Sequence, residues 1–257
     1  MAGASAKRSG GAAVSVTQQV LASNPLLEAF GNACTLRNDN SSRFGKFIEL
    51  RLDAAGRVCG SKLSVYLLEK SRIISQAPGE RNYHFFYQLA AGGGHLAAAR
   101  IETAPLQLRP AAQYLLLSAS GRTELSGVDD ALKFQGVLEA MGQVGVSTDE
   151  QRAVVSVVAA VLTLAELRFE GSSAACVSSE SSTTLERSVA LLQLPELEGL
   201  KTALCERQLA MGGREVMAVP LKLDQAVASR DALLKALYAR LFVWLVERCA
   251  TALGPHS

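Results

Sequence analysis

Apolar positions along the chain change period more than once. From Val14 to Ala33 they recur at helical spacing, with Asn24-Pro25 marking a break or a second helix start. Phe47 to Leu52 alternates as Phe-Ile-Glu-Leu-Arg-Leu, which predicts a strand. Asp53-Ala54-Ala55-Gly56 supplies a turn, and Val58 to Ile74 predicts a returning strand, so the two make a hairpin. Beyond it the pattern is largely helical. Helices are expected over Arg81 to Ala91, Asp129 to Val144, Thr148 to Leu167, Leu185 to Leu192, Leu197 to Gln208 and Asp224 to Ala250. Gly92-Gly93-Gly94 stops the first of these in a surface loop, Gly145 separates two others, and Gly212-Gly213 breaks the chain. Ser147 with Glu150 three residues on predicts a capping box. In the last helix Leu234, Leu237, Leu241 and Leu245 repeat at helical spacing beside Phe242 and Trp244, a wide apolar arc that belongs inside a larger body.

Composition narrows the class. The chain has 257 residues, 49% of them hydrophobic and 19% charged, which excludes a disordered polymer. A net charge of +2 gives no dense basic surface, so nucleic acid is not expected as a partner. The most apolar run, Ala153 to Ala165, falls short of the roughly 20 residues that a membrane span needs and reads as a buried helix. The start, Met1 to Ala13, is rich in Ala, Gly and Ser and lacks the apolar segment of a secretory signal, so residues 1–13 are expected to be flexible. Five scattered cysteines without a C-x-x-C pair suit a reducing, cytoplasmic setting. His84, His95 and His256 have no metal-ligand spacing.

One polar stretch, Asn38-Asp39-Asn40-Ser41-Ser42 followed by Arg43, lies between the first helix and the first strand. On residue type alone it is an ordinary loop, because Asn and Ser satisfy backbone groups locally. Asn40-Ser41-Ser42 matches a glycosylation sequon, which carries no weight without a secretory signal. Gly45-Lys46 is followed by Phe47 and therefore fails the phosphate-cradling pattern G-x-x-x-x-G-K-[ST].

The wider context is more specific. Asn24-Pro25-Leu26-Leu27-Glu28-Ala29-Phe30-Gly31-Asn32-Ala33 and Thr35 to Glu49, which includes Asn38-Asp39-Asn40-Ser41-Ser42-Arg43-Phe44-Gly45-Lys46, resemble the switch I region of the myosin motor domain. Tyr66 to Arg72, Gly79 to Leu89, Gly127 to Asp130 and Arg230 to Phe242 are similar to later blocks of that domain, in its order and spacing. The resemblance runs from about Val16 to Leu253. It implies an α/β, helix-rich fold: a partial P-loop-NTPase-type motor core with two sheet strands and switch I over residues 14–76, and a mainly helical upper subdomain over 77–257.

It also implies residue roles. The position matching Asn38 contacts nucleotide phosphates, and the hydroxyl matching Ser42 ligates Mg²⁺, a cation that favours oxygen. The residue matching Ser41 helps to position the attacking water. That matching Arg43 pairs with a switch II glutamate to close the site; Asp39 stands where the family varies and receives no role. Such chemistry is positioning and electrostatics around ATP and Mg²⁺. No switch II pattern D-x-x-G-F-E occurs in the chain, which leaves Arg43 without that carboxylate, and the charges at Leu68 to Arg72 and Glu80-Arg81 read as structural ion pairs.

The resemblance places the chain after the P-loop helix and before the switch II strand, so the remainder of the motor domain is a missing partner. On the actin side the loop between Gly212 and Leu221 corresponds to an actin-contacting loop. Glu215, sixteen residues before Asp231, falls at its regulated position, where a fixed carboxylate replaces the charge that phosphorylation gives some relatives. The expectation is a part of an actin-based, Mg-ATP-driven motor that is catalytically incomplete alone. The alternative is a truncated, non-catalytic actin-interaction module or the product of an incomplete gene model.

Overall fold

The computed structural model describes residues 16–56, 58–211 and 215–252. The expected flexible segment 1–13 and the Gly212-Gly213 break lie outside them. The chain opens with α1 (Val16–Gly31), β1 (Asn32–Ala33), β2 (Ser41–Ser42) and a long hairpin, β3 (Gly45–Leu52) with β4 (Val58–Tyr66). A helical body follows: α2 (His84–Ala91), α3 (Gly93–Ala98), α4 (Leu115–Ser118), α5 (Asp130–Gln143) and α6 (Thr148–Ala165). Short strands β5 (Phe169–Glu170) and β6 (Cys176–Val177) lead into α7 (Ser182–Leu192) and α8 (Leu197–Cys205). The hairpin β7 (Glu206–Met211) and β8 (Glu215–Pro220) precedes the long α9 (Leu223–Ala252). The described strands form four two-stranded antiparallel sheets. The fold is helix-rich with small sheets.

Several sequence expectations shift for physical reasons. Asn24-Pro25 does not break α1, which runs through Pro25. The returning strand ends at Tyr66 rather than Ile74. Leu67 there adopts φ 54°, and a 3-10 turn covers Lys70–Ile73. Gly92 does not open a loop: it caps α2 and starts α3, and a Cβ there would collide with the Phe134 ring of α5. The glycine serves close packing, not chain freedom. The helix expected over Leu197 to Gln208 stops at Cys205, because the following residues pair as β7 with β8. The capping box is as expected: Ser147 and Glu150 exchange hydrogen bonds of 3.3 and 2.8 Å.

The core gathers around α9 and α6. From Leu234 onward the buried positions of α9 are Leu234, Tyr238, Phe242, Leu245 and Cys249, spaced at three and four residues so that they fall on one face. Tyr238 stacks on Tyr83 at 5.2 Å and meets Phe86 at 4.9 Å, while Phe30 of α1 stacks on Phe85 of α2 at 4.0 Å. The apolar half of α6 is buried on most sides, where Thr163 Oγ1 satisfies itself by donating to Ala159 O at 2.7 Å. Among the described residues no helix is long and apolar enough to cross a membrane.

A candidate nucleotide-contacting loop

The end of α1 and the start of β3 converge, and the polar segment Cys34–Arg43 loops out between them. β1 pairs with β2 so that Asn32 faces Ser42 and Ala33 faces Ser41. The Arg43 N–H donates to Gly31 O at 2.8 Å. Gly31 is required here, because a Cβ would collide with the Phe44 ring, which packs edge-on against Phe242 at 5.2 Å. The loop's base is thereby tied to the core helix α9.

Within the loop, short side chains close local rings. Asn38 N–H donates to Thr35 Oγ1, which donates to Asn38 O, both at 3.1 Å. The Asn40 N–H donates to Asn38 Oδ1 at 2.8 Å. Three groups outside the loop anchor Asn40. Asn32 Nδ2 donates to Asn40 Oδ1 at 2.9 Å, and His84 Nε2 approaches the same oxygen at 3.2 Å. Asn40 Nδ2 donates to Glu28 Oε2 at 3.2 Å. Asp39, given no role from sequence, accepts from Arg122 Nη2 at 2.9 Å and from the Cys34 thiol at 3.3 Å. Burial and this carboxylate push the Cys34 thiol up to about 11. Burial, with Arg81 adding to it, brings His84 down to about 4, so it is a neutral imidazole and offers its Nε2 proton to the amide oxygen.

The sequence-derived site residues fall in two places. Ser41 and Arg43 touch: Arg43 Nη2 donates to Ser41 Oγ at 2.5 Å. Asn38 and Ser42 are exposed on the same loop, and Ser42 Oγ donates to Phe44 O at 3.2 Å. Glu215 opens β8, opposite Met211, in a separate hairpin; its side chain lies outside the described residues.

Arg43 does not lack a carboxylate. Its Nη1 lies 3.4 Å from Glu69 Oε2, with side chains 28% and 35% exposed. The Glu69 N–H donates back to Arg43 O at 2.9 Å, and Tyr83 OH donates to Glu69 O at 2.8 Å. Glu69 also meets Arg72 at 3.3 Å, and Arg72 bonds Glu80 at 2.5 Å, which holds the Glu80 carboxyl below its usual range. Arg81, fully buried, pairs with Asp130 at 2.7 Å and lies 3.6 Å over the Tyr87 ring. The reading of these charges as structural ion pairs holds. What sequence reasoning missed is that Glu69 reaches Arg43, 26 positions away, and only the return of β4 alongside β3 brings them together.

The family profile of the myosin head (motor domain) matches residues 1–257, the whole chain. The chain belongs to the myosin head family. The chain is similar to the myosin ID heavy chain of Dictyostelium discoideum, 43% identical over 247 residues, covering 93% of this chain and 22% of that protein. Myosin IE heavy chain of the same organism is 40% identical over 255 residues (93% and 25%). Myosin-6 of Arabidopsis thaliana is 41% identical over 244 residues (93% and 16%). The chain thus spans a quarter or less of the length of these myosins.

Family membership raises Mg²⁺ and ATP as cofactors, and the loop's chemistry can be tested against them. Asn38 and Ser41 offer neutral hydrogen-bonding groups suited to phosphate oxygens. For the metal, Ser42 offers one hydroxyl oxygen, and no cluster of three His, Cys, Asp or Glu exists among the described residues. A Mg²⁺ ion wants a near-octahedral oxygen shell. These residues alone do not make one.

Proposed function

We propose that this chain is the switch-loop and upper-cleft part of an actin-based myosin motor, with residues 14–76 forming the nucleotide-facing part and 77–257 the helical part. Asn38 would contact the nucleotide phosphates, Ser41 would position the attacking water, Ser42 would give one Mg²⁺ ligand and Arg43 would close the site. The observation that carries this reading is a loop fixed at its base and anchors while Asn38 and Ser42 stay exposed at its surface. Such preorganisation is what phosphoryl transfer asks of a protein.

Arg43 is then a two-partner residue. Glu69 holds it here, and a second carboxylate from a switch II segment would compete for the same guanidinium. Since neither G-x-x-x-x-G-K-[ST] nor D-x-x-G-F-E occurs in these 257 residues, the chain by itself supplies part of the phosphate contacts and should turn over ATP weakly or not at all. ATPase measurement on the purified chain tests this, and turnover like that of an intact motor would defeat it. In a graft that replaces the matching segment of a relative's motor domain, ATPase should return, and Ser42→Ala should remove most of it. A Ser42→Ala graft as active as the unsubstituted graft would end the assignment of Ser42.

The hairpin β7–β8 favours a second reading. Leu209 and Met217 are cross-strand partners and stand 37% and 48% exposed, an apolar pair suited to a protein surface. A non-catalytic actin-interaction module would use this hairpin, with Glu215 at its tip, independently of nucleotide. Actin co-sedimentation decides between them: pelleting that ignores ATP favours the module, and ATP-sensitive pelleting favours the motor part.

A further inference from the structure

A cavity of about 580 Å³ opens between the stretch 107–115, the C-terminal end of α6 and the first turns of α7. None of its lining residues belongs to the Asn38–Arg43 loop or its anchors. Three arginines from three separate stretches line it: Arg109, Arg168 and Arg187. Two carboxylates answer them, Glu166 at 3.5 Å from Arg109 and Glu180 at 4.0 Å from Arg168. Among the described residues no carboxylate pairs with Arg187, whose Nη2 donates to the carbonyls of Leu106 and Gln107. Glu166 is engaged elsewhere as well: its Oε1 accepts the Leu115 N–H at 2.9 Å.

Positive charge in this wall is therefore in excess. The Nε groups of Arg109 and Arg187 are buried without an acceptor. Burial lowers the Arg187 pKa from its usual value, with the Tyr114 hydroxyl opposing and the nearby Arg109 charge pushing the same way. Arg109 lies 4.5 Å over the Tyr114 ring, which fixes its plane. Gln107, which gives Arg187 one of its carbonyls, sits at φ 42°, a conformation that costs free energy in a residue other than glycine. The packing thus sustains strain beside a guanidinium held by carbonyls rather than by a carboxylate.

We propose that this cavity binds a small, soluble, phosphate-bearing anion, held by the guanidinium groups of Arg109, Arg168 and Arg187. Planar guanidinium forks match phosphate oxygens two at a time, and forks from three directions suit a tetrahedral group better than a single planar carboxylate. The volume falls in the range of small-molecule sites and leaves room for a polar body beyond the phosphate.

The test is titration calorimetry of the purified chain with inorganic pyrophosphate at low salt, without magnesium. The expected result is a Kd below about 1 mM, weakened by about tenfold or more in Arg187→Met and in Arg168→Gln, and unchanged in Ser147→Ala, which lies outside both the cavity and the loop. Arg168 is 67% exposed, so its substitution reads out charge without disturbing packing. No binding at 10-fold above about 1 mM, or binding indifferent to both arginine variants, overturns the proposal. A loss in Ser147→Ala equal to that in the arginine variants would mark the effect as general destabilisation and overturn it equally. Vesicles containing phosphatidylinositol bisphosphate form the last arm: retention on them that pyrophosphate does not displace would assign the arginines to a lipid surface and defeat the soluble-anion reading.

Discussion

Acid should loosen the loop through His84. This imidazole is 8% exposed and touches Asn40 Oδ1 of the loop, with Arg81, Lys133 and Asp39 as the charges around it. Burial lowers its pKa from 6.5 to about 4, with Arg81 and Lys133 pushing the same way and Asp39 opposing. A depressed histidine pKa means that the folded state binds its proton less readily than the unfolded chain. The neutral ring's contribution is therefore complete above pH 6.5 and is lost as pH falls from there to about 4. The full difference corresponds to about 3 kcal/mol, and about 2 kcal/mol of it should be gone at pH 5. Urea unfolding of the wild-type chain and of His84→Gln at pH 7 and pH 5 isolates this, because carboxylates that titrate over the same range are common to both. Glutamine can still donate to Asn40 but does not titrate. The wild type should lose about 2 kcal/mol more than His84→Gln between the two pH values. Equal losses in the two proteins would refute the reasoning, as would a His84 NMR titration midpoint near 6.5 in the folded chain.

Other substitutions probe the frame around the loop. Asp130→Ala strands the buried Arg81 cation and should cost about 3–5 kcal/mol, seen as a lowered urea midpoint. Tyr238→Phe removes the 3.0 Å bond to Phe30 O at a fully buried position and should cost about 1–2 kcal/mol by the same measurement. Ser147→Ala breaks the capping box of α6 and should cost about 1 kcal/mol, with no change in pyrophosphate binding. Gly31→Ala should displace Phe44 from Phe242, visible as shifted ring resonances of both, together with a loss of stability of about 1–3 kcal/mol.

Much of the architecture is legible in one dimension. The periodicity of Leu234 to Leu245 marks the buried face of α9, and the alternation from Phe47 to Leu52 marks β3, because both patterns are local consequences of backbone geometry. The capping box at Ser147 is a three-residue signal and is just as local. Boundaries set by packing are less legible. The glycine run at Gly92 reads as a breaker, yet its missing Cβ makes room for Phe134, a residue 42 positions away. Glu206 to Gln208 reads as the end of a helix until its pairing with Ala218 to Pro220 is known.

The candidate site divides in the same way. Residue order alone defines the segment Asn38–Arg43 and the chemistry of its side chains, since amide, hydroxyl and guanidinium groups are properties of residue type. What those groups face depends on packing in three dimensions. Glu69 reaches Arg43, Arg122 reaches Asp39 across 83 positions, and His84 meets Asn40 across 44. Hydrogen bonds and ion pairs act over a few ångströms in space, while their partners are set by how α1, the β3–β4 hairpin and α2 pack. The arginine cavity makes the same point: three guanidinium groups with no sequence motif between them converge only because α6 and α7 fold back on the stretch 107–115.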